Sequence, residues 1–178
     1  NFKGRVIHPT TDCEFIGSNN AEHRYTKDCK KDATDPYGKS KILASDYLLE
    51  SDNTTIIRTS IIGRELNTQY SLWDWFAKNK EQSVDGYVNH LWNGITTLQW
   101  SKICKQLLES GMKTRFLQVG TEDYISKGTL LETLNKAMKL KKFVNMKFQG
   151  SSYVNKCLKS DMQVPNIQEQ IDEVLDWK

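Results

Sequence analysis

Apolar and polar positions follow one another in short blocks along the 178 residues, and the blocks sort into strand-like and helix-like periods. Residues 5 to 9 form a short apolar run that ends in the polar turn Thr10, Thr11, Asp12, which predicts a strand. A polar loop through Asn19, Asn20 and Tyr25 follows. Asp35 and Pro36 then supply an N-cap and a first-turn proline, predicting a helix from Tyr37 to about Glu50. Ile56 and Ile57 mark a second buried-type strand, which runs out into Arg58, Thr59 and Ser60. Ser71 to about Lys78 predicts a helix with Leu72, Trp75 and Phe76 on its buried face. The stretch GYVNHLWNGITTLQWSKIC reads as a strand, a turn at Gly94 and a helix from Thr97 to about Ser110. Arg115 to Val119 predicts a strand. Ser126 caps a helix with Leu130, Leu131, Leu134 and Met138 inward, Phe143 to Phe148 is a last strand, and Pro165 opens a terminal helix ending near Trp177. Strands alternating with helices, with no repeat or low-complexity linker, predict an α/β layer protein.

Composition changes this picture little. With 38% hydrophobic and 26% charged residues the chain has the balance of a globular domain, long enough to bury one core. The net charge of +3 is spread out, lysines alternating with acids on the expected helices, so no nucleic-acid patch is indicated. No apolar run approaches the roughly 20 residues a membrane helix needs. Cys13, Cys29, Cys104 and Cys157 show neither C-x-x-C pairing nor histidine spacing, so neither a metal site nor a disulfide framework is expected, and a reducing cytoplasm is the default location.

The chemistry begins at the pentapeptide YGKSK. Tyr37 and Lys41 stand four residues apart at the start of a helix and therefore share a face. A phenol with an ordinary pKa of about 10 is a poor acid at neutral pH. A nearby ammonium favours the phenolate, so the pair predicts a lowered Tyr37 pKa and proton transfer to or from a carbonyl or alkoxide oxygen. Alone, Tyr-x-x-x-Lys also suits a solvated amphipathic helix.

Three further segments stand in order around it: RVIHPTTDCEFIG ahead, TTIIRTSIIGREL after, then the W-x-G-x-T-T element at Trp92. From Val6 to about Leu158 the chain resembles the extended short-chain dehydrogenase/reductases, and most closely the branch similar to dTDP-4-dehydrorhamnose reductase. The resemblance implies the C-terminal part of a Rossmann-like doubly wound fold plus a small α/β substrate lobe. Residues 1–82 would form the catalytic part and 83–178 the lobe, the two interleaved. It implies catalysis by Thr11, Tyr37 and Lys41, with NADP or NAD contacted by Tyr37, Lys41, Ser60 and Ile61. Thr11, Asp12, Trp92, Thr96 and Lys156 would contact a nucleotide-sugar substrate, and Trp73 would lie toward the substrate side. The implied reaction is NAD(P)H-dependent reduction of the 4-keto group of a 4-keto-6-deoxy nucleotide sugar, in the supply of surface-polysaccharide precursors.

The family's phosphate-cradling G-x-x-G-x-x-G turn occurs nowhere in the 178 residues. The chain is therefore expected to be the C-terminal part of a longer reductase, with a missing N-terminal half or a second copy of the chain as its partner. Cys13 opens an alternative, because related epimerases place an acidic cysteine two residues after the catalytic threonine. A bifunctional epimerase/reductase would also need a base, for which Lys78, Lys80 and His90 are candidates by type alone. His8 and His23 read as structural or exposed. A third reading, from a different class, is a non-catalytic partner like the regulatory subunit of methionine adenosyltransferase.

Overall fold

In a computed structural model, which describes residues 4–177, the first strand and its neighbours are parallel. β1 (Val6–Thr10) pairs with β2 (Thr54–Arg58), and β2 pairs with β7 (Phe116–Gln118), giving the order β1-β2-β7. Parallel pairing demands crossover connections, and helices make them. α1 (Pro36–Leu48) joins β1 to β2, and α3 (Thr97–Glu109) precedes β7. Every residue of β2 is buried, as befits a central strand covered on both faces. Ile57, Ile103, Leu107 and Val119 form the core between this sheet and α3. Residues on both sides of position 83 thus build one sheet.

The rest of the chain supplies shorter sheets. β3 (Ile61–Ile62) pairs with β6 (Ile95–Thr96), and β4 (Ser83–Tyr87) with β9 (Phe143–Lys147), both parallel. β5 (His90–Trp92) lies between β10 (Val154–Asn155) and β8 (Ile125–Ser126). α2 (Leu72–Lys78), α4 (Lys127–Ala137) and α5 (Ile167–Asp176) pack around a second core that contains Trp73, Phe76, Trp92, Leu130, Leu134 and Ile171. The capping chemistry read from the sequence sets two helix starts, Asp35 accepting from the Gly38 amide and Ser126 from that of Thr129, while at the terminal helix Asn166 closes a reciprocal capping box with Glu169. The terminal helix therefore starts at Ile167, not at Pro165.

Two expectations are corrected here. On α2 it is Trp73 that is buried, at 1% exposure, while Trp75 is 41% exposed. Trp73 and Phe76, three apart, turn to the same side, and the single turn at Trp75 swings that ring outward against the edge of Phe76. Phe143–Lys147 is not the last strand, because β10 follows it. That two-residue strand carries no periodicity of its own and exists only through its pairing with β5.

Three buried asparagines hold the loops that such short strands leave behind. Asn155 donates to the carbonyls of Asn20, Ala21 and His23; Asn93 to those of Thr121 and Leu158; Asn89 to those of Gln149 and Ser152. Each replaces ladder bonds that irregular backbone lacks. Among the described residues no helix is long and apolar enough to cross a membrane.

Candidate active site

β1 delivers Thr10 and Thr11 to the C-terminal edge of the parallel sheet, where the chain makes a single 3₁₀ turn, Asp12–Glu14. Thr11 caps that turn: its Oγ1 accepts from the Cys13 amide at 3.1 Å and donates to Asp12 Oδ1 at 3.1 Å. α1 starts against the same turn. A side chain at Gly38 would place its Cβ 2.4 Å from the Cys13 carbonyl oxygen and 2.4 Å from Ala33 Cβ, so only glycine lets the helix approach this closely. The close approach brings Tyr37 beside Thr11. Tyr37, Lys41 and Ser45 follow one another along the helix at four-residue steps, and Ser45 anchors the stripe by donating to Glu14 Oε1 at 2.5 Å.

Below them lies a buried polar network that sequence reading missed. Glu14 and Arg58 are both 0% exposed. Arg58 meets Glu14 Oε2 through Nε at 2.8 Å and Nη2 at 2.7 Å, and Thr10 adds a hydroxyl to Oε1 at 2.7 Å. The far side of the guanidinium donates to Gln118 at 2.9 Å, and Phe15 and Phe116 cover its faces at 4.8 and 4.7 Å. One network therefore ties β1, the 3₁₀ turn, α1, β2 and β7 under the threonine and tyrosine. Its only sequence signal is a glutamate beside Phe15 in a segment otherwise read as a loop.

Thr11, Asp12, Cys13, Tyr37, Lys41, Ser60 and Ile61 line one hollow of about 330 Å³. Three larger hollows, of about 560, 610 and 540 Å³, lie away from these residues, beside Asp161, Arg115 and Lys105, and none of them is lined by a tyrosine. The electrostatics of the first hollow differ from the expectation. Burial pushes the Tyr37 phenol above its ordinary pKa; the facing Thr11 hydroxyl offsets this in part, and Cys13, Asp12 and Asp35 add to it. The Lys41 ammonium lies over the ring, 5.6 Å from its centre, and is not among the groups that set the direction of the shift. Burial and the Asp12 charge likewise raise the Cys13 thiol. Among the described residues the Lys41 ammonium makes no hydrogen bond or ion pair, so its donors are free to hold hydroxyl groups of a ligand.

Other expected contacts fall elsewhere. Trp92 is 2% exposed and donates its Nε1 to Ser60 Oγ at 2.8 Å, so it supports the wall of the hollow from the core side. Gly94 is required behind it, since a Cβ there would lie 2.1 Å from the Ser60 carbonyl oxygen. Thr96 is buried and caps α3 by accepting from the Gln99 amide at 3.2 Å. Neither side chain lines the hollow: Trp92 ends β5 and Thr96 ends β6, and both are turned into the core. Lys156, after β10, runs along Gly17 and stays within electrostatic reach of Cys13 and Asp35, without lining the hollow. Of the base candidates, Lys78 is paired with Asp74 at 3.1 Å, Lys80 is exposed, and His90 stacks obliquely on Tyr87. All four cysteines are free, and among the described residues no group of three or more His, Cys, Asp or Glu side chains is placed to hold a metal ion.

No family model matches the chain, and no curated protein does. Solved structures do. A dTDP-4-dehydrorhamnose reductase from Clostridium acetobutylicum superposes with a TM-score of 0.79 at 12% identity, over 97% of this chain and 65% of that one. The enzyme of the same name from Bacillus anthracis, solved in complex with NADP, gives 0.79 at 14% identity, over 96% and 65%. A hypothetical dTDP-4-dehydrorhamnose reductase from Sulfolobus tokodaii gives 0.67 at 21% identity, over 88% and 56%. A dTDP-glucose 4,6-dehydratase from Bacillus anthracis in complex with NAD gives 0.74 at 15% identity. The chain spans about two thirds or less of the length of these proteins, and at such identities the likeness speaks for the fold alone. With the parallel β1-β2-β7 sheet and the Tyr37 helix packed on it, this chain has a Rossmann-like α/β fold similar to that of the solved dTDP-4-dehydrorhamnose reductases.

Proposed function

We propose that this chain carries the catalytic centre of an NAD(P)H-dependent reductase acting on the 4-keto group of a 4-keto-6-deoxy nucleotide sugar. The observation that carries the reading is the convergence of Thr11, Tyr37 and Lys41 on one hollow, with Tyr37 held against Thr11 by the glycine at position 38. The unengaged Lys41 donors, next to Ser60 and Ile61, fit the ribose and nicotinamide end of a dinucleotide. A bound reduced nicotinamide would supply the hydride. Thr11, once its hydroxyl turns from Asp12, donates a hydrogen bond to the substrate carbonyl oxygen. Tyr37 donates its proton to the alkoxide that develops there, and its raised pKa keeps the phenol protonated for that step. Lys41 holds the ribose hydroxyls. Cys13 shares the hollow, which keeps open an epimerising role for its protonated thiol before reduction.

The test uses a hybrid in which the chain is joined, ahead of β1, to a dinucleotide-binding half taken from one of the solved relatives. NADPH consumption is followed by nicotinamide absorbance with a dTDP-linked 4-keto-6-deoxy sugar. Tyr37→Phe keeps the ring and removes the proton, so kcat is expected to fall by about 10² to 10⁴. Near-normal turnover in Tyr37→Phe rules out the assigned role.

A further inference from the structure

Ser60 lines the hollow and is held in place from behind by two hydrogen bonds. Its carbonyl accepts from the Ile95 amide at 2.8 Å, and its Oγ accepts from Trp92 Nε1 at 2.8 Å. The indole has no room to swing away from this contact. Trp92 is 2% exposed and belongs to the core that contains Trp73, Phe76 and Leu130. The Lys127 ammonium lies over its ring, and a Cβ at Gly94 would fall 2.4 Å from its Cζ2.

An indole N–H donates and does not accept. The Ser60 oxygen is therefore the acceptor of this bond, and its own hydrogen is left for some other partner. Among the described residues none accepts it. The threonine hydroxyls of the hollow differ in this respect. Thr10 donates to Glu14 at 2.7 Å, Thr11 to Asp12 at 3.1 Å and Thr59 to the Ser60 carbonyl at 3.4 Å. Ser60 thus brings to the hollow a hydroxyl hydrogen that the core leaves unengaged. Next to it in the chain, the Ile61 side chain is 39% exposed and lines the same hollow.

We propose that Trp92 is a positioning residue: through Ser60 it fixes a hydrogen-bond donor for the carboxamide oxygen of a nicotinamide whose ring lies on Ile61. Without the indole N–H, the hydroxyl can turn back on neighbouring backbone, as serine hydroxyls readily do, and the donor is lost without Ser60 itself moving. The inference rests on the reductase reading for the presence of a nicotinamide in this hollow. Its test needs neither turnover nor a complete dinucleotide.

The 178-residue chain is followed by nitrogen–proton correlation spectroscopy, in which Trp92→Phe identifies the Trp92 indole resonance by its loss. In Ser60→Ala that resonance is expected to move upfield, as an indole N–H that has lost its acceptor does. Reduced nicotinamide mononucleotide is then titrated into the millimolar range, beside its thionicotinamide analogue, in which sulfur, a weak acceptor, replaces the carboxamide oxygen. Wild type is expected to bind the oxygen form about three- to ten-fold more tightly, the worth of one neutral hydrogen bond. In Ser60→Ala and in Trp92→Phe the ratio of the two affinities should fall to about one, because each variant removes the same interaction. A merely structural role for Trp92 lowers both affinities by the same factor and leaves the ratio where it was. Ser60→Ala leaves the core intact and reports on the same bond if Trp92→Phe does not fold. An unmoved indole resonance in Ser60→Ala, equal affinities in wild type, no binding of the reduced mononucleotide by wild type, or an unchanged ratio in either variant overturns the proposal. Any of these beside a hybrid that reduces the keto sugar overturns the role of Trp92 alone, and the expected ratios beside a hybrid that consumes no NADPH overturn the reductase reading and leave Trp92 its role.

Discussion

Replacing Glu14 with Gln tests the network under the active site most directly. The carboxylate accepts from Thr10 at 2.7 Å and Ser45 at 2.5 Å on one oxygen, and on the other from Arg58 Nε at 2.8 Å, with Nη2 in ion-pair contact at 2.7 Å. A glutamine of the same length keeps the shape. The two hydroxyls can reverse and accept from its amide, so that side of the network is recoverable. The charge on Arg58 is not: the guanidinium is fully buried, walled by Phe15 and Phe116, and left with only neutral oxygens, those of Gln118 and of the new glutamine. Leaving one member of a buried pair uncompensated costs about 3–5 kcal/mol. For a chain of this size that is a fall in melting temperature of roughly 6–20 °C. Thermal and urea melts followed by circular dichroism measure it. Adding Arg58→Met to Glu14→Gln removes the stranded charge, so the double variant should recover at least half of the loss. A fall below about 2 °C in Glu14→Gln, or a double variant no more stable than the single one, refutes the claim that charge compensation holds this region together.

Gly38→Ala should destabilise the chain by about 1–3 kcal/mol through overpacking against Cys13 and Ala33. On an open helix the same change stabilises by up to about 1 kcal/mol, so an unchanged or higher urea midpoint contradicts the close approach. The 178-residue chain, which has no glycine-rich phosphate turn, should show no saturable low-micromolar binding of NADPH by nicotinamide fluorescence. In the hybrid reductase, Cys13→Ser should cost little activity and leave product stereochemistry unchanged. No enzyme-dependent uptake of solvent deuterium into the keto sugar is expected without NADPH, and uptake by wild type that vanishes in Cys13→Ser establishes the epimerase alternative instead.

The features written in local pattern were legible from residues alone. Asp35 and Pro36, Ser126 and the existence of a terminal helix announce themselves because caps and periodicity act over a few neighbouring positions, whereas its Asn166 cap is passed over for Pro165. The order of the Thr11, Tyr37, Arg58 and Trp92 segments pointed to a fold that superposition on solved reductases then displayed. Tertiary structure decided the rest. The Tyr37 pKa direction depends on where the Lys41 ammonium lies above the ring and on which carboxylates face the phenol, and four-residue spacing fixes neither. Trp92 and Thr96 carry the same letters whether they line a substrate or support a wall, and only the pairing of β3 with β6 and of β5 with β8 turns them inward. Glu14 and Arg58 lie 44 positions apart. Burial and long-range charge are properties of the assembled chain. For that reason Thr11, Tyr37 and Lys41 could be picked out as candidates from sequence, whereas the ion pair beneath them emerged only from the fold.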